Sequence, residues 1–272
     1  MATISLLSGL RSIEYEHDLD RQALKALRAS SGFEAVMRKL HEHGLDAFSK
    51  FPFLGSSFRI TKDTLPDIHK ALDDSCAALD IKDKPEIYVT NRPWLEGVCA
   101  GVDRPIIVLT ASSVDNLGQP ELRFVMGHEL GHIKSGHLIY RTMAEAFPVI
   151  ENLIGSATLG ISNLLSKGLE VALVNWRRVS DFTADRAGLL ACQDVQAAGK
   201  VLMRLAGVPV RFANAVTIES FMYQARNMAV IDMNWVDPRI VNLFWQNQSW
   251  AVARANQLLK WYDGGKYESI MD

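Results

Sequence analysis

The chain has 272 residues, 48% of them hydrophobic and 22% charged, with a formal net charge of -2. These values describe an ordinary globular protein of one large domain or two small ones, and they exclude a globally basic, nucleic-acid-binding surface. Cys76, Cys99 and Cys192 are odd in number and form no Cys-x-x-Cys pair, so neither a disulfide framework nor a cysteine zinc knuckle is expected, which fits a reducing, cytoplasmic setting.

The first residues, Met1 to Arg11, lack a basic region followed by a sustained apolar run, so no secretory signal is expected. Apolar residues recur at helical spacing over 18–50, with Leu19, Ala23, Leu24 and Leu27, then Phe33, Val36, Met37 and Leu40. The same period returns over 64–80 with Leu65, Ile68, Ala71, Leu72 and Leu79. Two short strands follow. Glu86 to Thr90 comes after Pro85, and Pro105 to Thr110 is β-branched and apolar. The stretch between them, rich in Gly, Pro and Asn, reads as loop and could be a hairpin connection. A helix is predicted from about Glu121 to Lys134, entered through Gln119-Pro120 and stopped at Gly136. Later helices are predicted over about 139–150, 153–190 with breaks, 193–206, 212–228 and 250–262.

The fold class is therefore α+β, mainly α, with a small antiparallel or mixed sheet. A helical N-terminal extension over 1–60 precedes one domain over 61–272. Within it, 148–176 is an apolar helical insertion. Its longest uncharged run, Asn152 to Ser166, is shorter than the roughly 20 apolar residues of a membrane span, so buried or interfacial helices are expected, with any peripheral membrane contact made here.

His128 and His132 lie four apart. On a helix both imidazoles then share one face, one turn apart, as a single tetrahedral zinc requires. Glu129 sits beside that face, where a carboxylate can act as general base toward a water that zinc acidifies. The surrounding Phe124, Val125, Met126, Leu130 and Ile133 make the helix apolar on several sides. Two histidines and a glutamate buried there without a partner would cost several kcal/mol, on the order of the transfer penalty for polar groups, and a metal is that partner. Gly127 and Gly131 each disfavour a helix interior by about 1 kcal/mol relative to Ala, which suggests that another backbone comes close at these positions.

A third ligand is needed. Glu151 and Asp181 are the candidates. An Asp-x-x-x-Asp pair is usually a solvated helix face. Here Asp181 and Asp185 are followed by Ala184, Ala187, Gly188 and Ala191, a small-residue face that can pack on Gly127 and Gly131. Asp181 is preferred as the ligand, with Asp185 holding a ligating histidine in the correct tautomer.

The run Glu121-Leu122-Arg123-Phe124-Val125-Met126-Gly127-His128-Glu129-Leu130-Gly131-His132-Ile133, followed by Gly136-His137, resembles the zinc helix of HtpX-like and CAAX-prenyl-protease-type gluzincin peptidases, the M48 peptidases. The resemblance covers about residues 60 to 270. That family's Ser-Arg-x-x-Glu-x-x-Ala-Asp pattern corresponds to Arg177, Arg178, Asp181, Ala184 and Asp185, with Asp181 in place of the family's ligating Glu. Near the C-terminus Gln248 stands where the family often has histidine, while Arg254 is retained. The resemblance implies a zincin-like catalytic domain, one zinc per chain, hydrolysis of peptide or unfolded protein substrates, and Arg254 as the group that stabilises the oxyanion. It also implies an edge strand, Pro105 to Thr110, that takes an extended peptide by β-augmentation. Cys99, close to that strand, reads as a packed small residue. A non-catalytic scaffold that keeps the fold is the competing reading, and a homo-oligomer is left open.

Overall fold

The computed structural model describes residues 4–30, 33–42, 45–95, 97–145, 162–212, 215–228 and 250–272, without side chains at 35, 39–42, 45–48 and 162–167. The N-terminal helices are α1 (Ser12–Tyr15), α2 (Asp18–Arg28), α3 (Phe33–Glu42) and α4 (Leu45–Leu54). Strand β1 (Phe58–Ile60) leads to α5 (Pro66–Ala78), then come β2 (Glu86–Thr90), β3 (Gly97–Ala100), β4 (Ile106–Thr110) and α6 (Ala111–Asn116). The remaining helices are α7 (Gln119–Lys134), α8 (138–145), α9 (Ser162–Cys192), α10 (Val195–Leu205), α11 (Ile218–Arg226), α12 (Ala251–Asp263) and α13 (Glu268–Met271). The fold is α+β and mainly α, with one small mixed sheet.

The sheet order is β1-β2-β4-β3. β2 and β4 run parallel, with Ile87 opposite Ile107, while β1 on β2 and β3 on β4 are antiparallel. This corrects two expectations. The stretch read as loop contains β3, whose Gly97-Val98-Cys99-Ala100 has little strand propensity and forms because β4 offers it a ladder. Pro105 to Thr110 was expected at the edge, but β4 lies between β2 and β3 with all five of its residues buried. A continuous Ile-Ile-Val-Leu run belongs in a strand covered on both faces. Among the described residues, the sheet edge beside the motif helix is β3.

Helices α7 and α9 form the most extensive pairing, and α5 packs on α7 from another side. One apolar cluster joins Leu72 of α5, Ile107 of β4, Phe124 and Leu130 of α7, and Leu190 of α9. Leu7, Leu10 and Tyr15 belong to the same cluster. A second cluster holds Leu27 of α2, Tyr140 and Met143 of α8, and Leu169, Leu173 and Trp176 of α9. Among the described residues, no helix is long and apolar enough to cross a membrane. Of the insertion expected over 148–176, residues 148–161 lie outside the described residues and 162–176 belong to α9.

Candidate metal centre

Helix α7 begins with Pro120 in its first turn and Glu121 near its N-terminus, where a carboxylate opposes the positive end of the helix dipole. Its two glycines lie against α9. A Cβ added to Gly127 would fall 3.0 Å from Gly188 Cα, and one added to Gly131 would fall 2.6 Å from Ala187 Cβ and 3.2 Å from Ala184 Cα. The helices are thus in backbone contact at both turns of the motif. This proximity lets a side chain one methylene shorter than glutamate reach across.

His128, His132 and Asp181 converge, and their candidate ligand atoms all lie within 4.8 Å of one another. Asp181 Oδ1 is 3.4 Å from His132 Nε2 and 4.0 Å from His128 Nε2. A tetrahedral ion with bonds of about 2.0–2.1 Å sets neighbouring ligand atoms roughly 3.3 Å apart, close to the first distance and slightly inside the second. His132 is fully buried, and among the described residues its Nε2 has no hydrogen-bond partner. Oε2 of the buried Glu129 has none either, and its Oε1 is 4.0 Å from His128 Nε2. Unpartnered buried polar atoms are rare and expensive, and here two of them stand in one cluster with an imidazole and a carboxylate, the donor set that zinc takes.

Each histidine is held from its other ring nitrogen. His128 Nδ1 is 2.9 Å from Asp185 Oδ1. Asp185 is buried and bound twice by Arg254, through Nε at 2.8 Å and a terminal nitrogen at 2.6 Å. Burial pushes the Asp185 carboxyl up, but Arg254 and His128 outweigh it and hold it below the usual range. Asp185 therefore accepts from His128 Nδ1–H, which leaves the Nε2 lone pair facing Asp181. The same terminal nitrogen of Arg254 lies 3.3 Å from His128 Nδ1, a longer contact than the carboxylate's.

His132 is held differently. Helix α7 ends in a Schellman motif: Gly136 takes φ +68°, its N–H donates to Ile133 O at 3.1 Å, and His137 N–H donates to His132 O at 3.0 Å. Glycine is favoured at that left-handed position. The closure carries the buried His137 ring beneath His132, with the two Nδ1 atoms 3.0 Å apart. His137 Nε2 then stands 3.2 Å from Oδ2 of Asp20, a fully buried carboxylate on α2. Trp176 Nε1–H donates to Asp20 Oδ1 at 3.0 Å and the Thr183 hydroxyl donates to Oδ2 at 2.5 Å.

The electrostatics suit a ligand set. Burial, then Arg141, holds His132 well below the usual histidine value, so it stays neutral. Burial raises the Asp181 carboxyl, but His132, Arg254 and His128 outweigh it and keep it ionised. Cys99 is buried beside Glu129, and burial with that neighbour pushes its thiol up, as expected of a packed small residue.

Residues 63–251 match peptidase family M48, a span that includes His128, Glu129, His132, Asp181 and Asp185. The chain belongs to this family. A plastoglobule-localized metallopeptidase of Arabidopsis thaliana chloroplasts is 28% identical over 271 residues, 98% of this chain and 77% of that protein. The protease HtpX homolog 2 of Methanosarcina mazei is 22% identical over 171 residues, 55% of this chain and 58% of that protein. A protease HtpX homolog of Helicobacter pylori is 30% identical over 69 residues, 25% of this chain and 22% of that protein. This chain therefore spans less than two thirds of either HtpX homolog. No solved structure matches it.

Within this M48 chain, the structure brings together His128, Glu129, His132, Asp181, Asp185 and Arg254. It places Arg254 on the Nδ1 side of His128, bound to Asp185, rather than beside the Nε2 that faces Asp181. Glu151 and Gln248 lie outside the described residues. Sequence reading assigned no role to His137 or Asp20. The signal for Asp20 is its phase: Asp20, Leu24 and Leu27 share one stripe of α2, so the carboxylate lies on the helix's apolar face. The signal for His137 is its position directly after the helix-stopping Gly136.

Proposed function

We propose that this metallopeptidase-family chain is a zinc-dependent endopeptidase acting on extended or unfolded protein substrates. His128, His132 and Asp181 hold one zinc and Glu129 serves as general base. The observation that carries this reading is that Glu129 Oε2 and His132 Nε2 are both buried without hydrogen-bond partners among the described residues, in the cluster with Asp181. A zinc ion held there supplies Lewis-acid polarisation of the scissile carbonyl and a water of lowered pKa. Glu129 accepts the proton of the attacking water and later delivers it to the leaving amine. Asp185 and Arg254 orient His128, which makes Arg254 a positioning residue in this reading instead of an oxyanion donor.

The substrate lies along β3. A Cβ on Gly97 would fall 3.2 Å from Glu129 Cγ, so this strand runs directly against the general base. Its outer edge can receive an extended peptide as an added strand, aligning main-chain carbonyls with the site. A zincin-like fold is supported by the motif helix beside a small mixed sheet. We place the chain in the cytoplasm, with any membrane contact peripheral and made through 148–176. Purification without detergent and a sizing profile test that placement and the oligomeric state: a chain that stays in the membrane fraction until detergent is added would overturn it.

The decisive test is zinc titration of the metal-free chain together with cleavage of an unstructured protein. Wild type should hold one zinc and cleave. Glu129→Gln should hold zinc and lose roughly 10²- to 10⁴-fold in rate, the usual contribution of a general base. Asp181→Ala should lose zinc. Equal inactivity of wild type and Glu129→Gln with zinc bound would leave the non-catalytic scaffold as the function.

A further inference from the structure

The second support of the site comes from outside the span that matches the family. Asp20 lies on α2, 43 residues before the matched span begins at residue 63, yet it is fully buried against the motif helix's C-terminal turn. Its carboxylate accepts from Trp176 Nε1–H and the Thr183 hydroxyl, and His137 Nε2 lies 3.2 Å from its Oδ2. The Thr183 hydroxyl in turn accepts from the backbone N–H of His17, the N-cap of α2, at 3.0 Å. Trp176 also stands edge-on to His137, with ring centroids 5.4 Å apart at 90°. His137 can therefore neither tilt nor flip without breaking one of these contacts.

The chain of contacts admits one order of protons once His132 is a ligand. A ligating His132 Nε2 presents its lone pair, so the ring's proton is on Nδ1 and is donated to His137 Nδ1, 3.0 Å away. His137 Nδ1 then presents a lone pair, and its proton is on Nε2, within hydrogen-bonding distance of Asp20 Oδ2. Asp20 Oδ2, placed as the acceptor at the end of the chain, selects this order over its reverse. In the reverse order the proton would sit on His132 Nε2, the atom that must be free.

We propose that Asp20 is a positioning residue of the metal site: through His137 it fixes the tautomer and orientation of His132, so the N-terminal helix completes a centre whose ligands all lie in the matched span. This rests on the zinc reading above. Partners of metal-bound histidines typically change metal affinity 10- to 100-fold when removed, and Asp20, one residue further out, is expected near the lower end, about 10-fold.

Asp20→Asn is the informative variant because it is isosteric. Its amide nitrogen can donate to His137 Nε2, which turns the proton order around and puts a proton on His132 Nε2. The test measures the zinc dissociation constant of the full chain by chelator competition, the visible spectrum with cobalt in place of zinc, and the melting temperature of the metal-free protein. Leu202→Ala, a buried change on α10 outside this network, serves as the stability control. The expected result is that Asp20→Asn weakens zinc about 10-fold and alters the cobalt spectrum, whereas Leu202→Ala lowers the melting temperature as much or more and leaves both unchanged. Asp20→Asn binding zinc as wild type does, or Leu202→Ala weakening it equally, would overturn the proposal. If Asp20→Asn does not fold, Trp176→Phe, which removes one donor to Asp20 and keeps most of the ring, should weaken zinc by a smaller factor; an unchanged constant there overturns the proposal too. A wild-type chain that binds no zinc overturns the metal reading itself, and with it this one.

Discussion

The two histidines of the motif sit one turn apart on the same helix and are supported in opposite ways. Behind His128 is a charged support: Asp185 from α9, neutralised by Arg254 from α12. Behind His132 is an imidazole, then Asp20, which accepts from a tryptophan and a threonine and lies 3.2 Å from the histidine, with no arginine or lysine paired to it among the described residues. The first support is a salt bridge whose halves depend on each other. The second is a relay of buried groups that runs from His132 through His137 to Asp20. The difference teaches that the motif places the two imidazoles, while their orientation is set by whichever elements the fold lays against each ring. The outermost group on each side, Arg254 or Asp20, lies outside residues 63–251.

The largest effect should come from unpairing the charged side. Arg254→Met leaves Asp185 as a buried, unpaired carboxylate and should destabilise the protein by about 3–5 kcal/mol, read from denaturant unfolding. Adding Asp185→Asn should recover part of that loss, because the double variant no longer buries an isolated charge. If Asp20→Asn proves as destabilising as Arg254→Met, the distinction between a charged and an uncharged support fails.

Next comes the contact that both sides share. Gly131→Ala puts a methyl 2.6 Å from Ala187 Cβ and should destabilise by about 1–3 kcal/mol, the usual range for overpacking. By pushing α9 away it should also withdraw Asp181 and weaken zinc binding, whereas Gly168→Ala, on α9 with nothing within 4 Å, should do neither. Zinc affinity that stays at the wild-type value in Gly131→Ala would show that helix proximity does not set the reach of the aspartate.

The smallest effect separates the two sides by pH. His17, whose ring faces Arg186, Gln257, Asp18 and Asp20, is held below the usual histidine value by burial and then by Arg186. The unfolded chain therefore takes up this proton first, and stability falls as pH drops through the ordinary value of 6.5. His132, also held low, adds to the same slope. Asp185 is depressed as a carboxyl, so its stabilisation is present above the ordinary value of 3.8 and is lost only as pH falls through its lower folded value. Thermal melts of the metal-free chain should show a first loss of stability between pH 7.5 and 5.5, reduced in His17→Gln. An identical loss in His17→Gln would remove His17 from that slope.

Local pattern carried much of the reading. The four-residue spacing of His128 and His132, the Pro entry and Gly stop of α7, and the small-residue face of α9 each follow from helical period and backbone sterics. These are properties of neighbours in the chain, so sequence alone determined the motif helix and the two small-residue faces, and offered Asp181 as a candidate to close the cluster. The sheet was less legible. β3 has no propensity of its own, and a run such as Ile106 to Leu109 is apolar whether it lies at an edge or in the centre. Only the tertiary structure decided that β4 is central, that Arg254 binds Asp185, and that Asp20 and His137 stand behind His132. Those outcomes depend on contacts between residues distant in the chain, 69 positions apart for Arg254 and Asp185 and 156 for Asp20 and Trp176. Such contacts hold because the fold pairs two groups that would each be costly to bury alone, which no local pattern encodes.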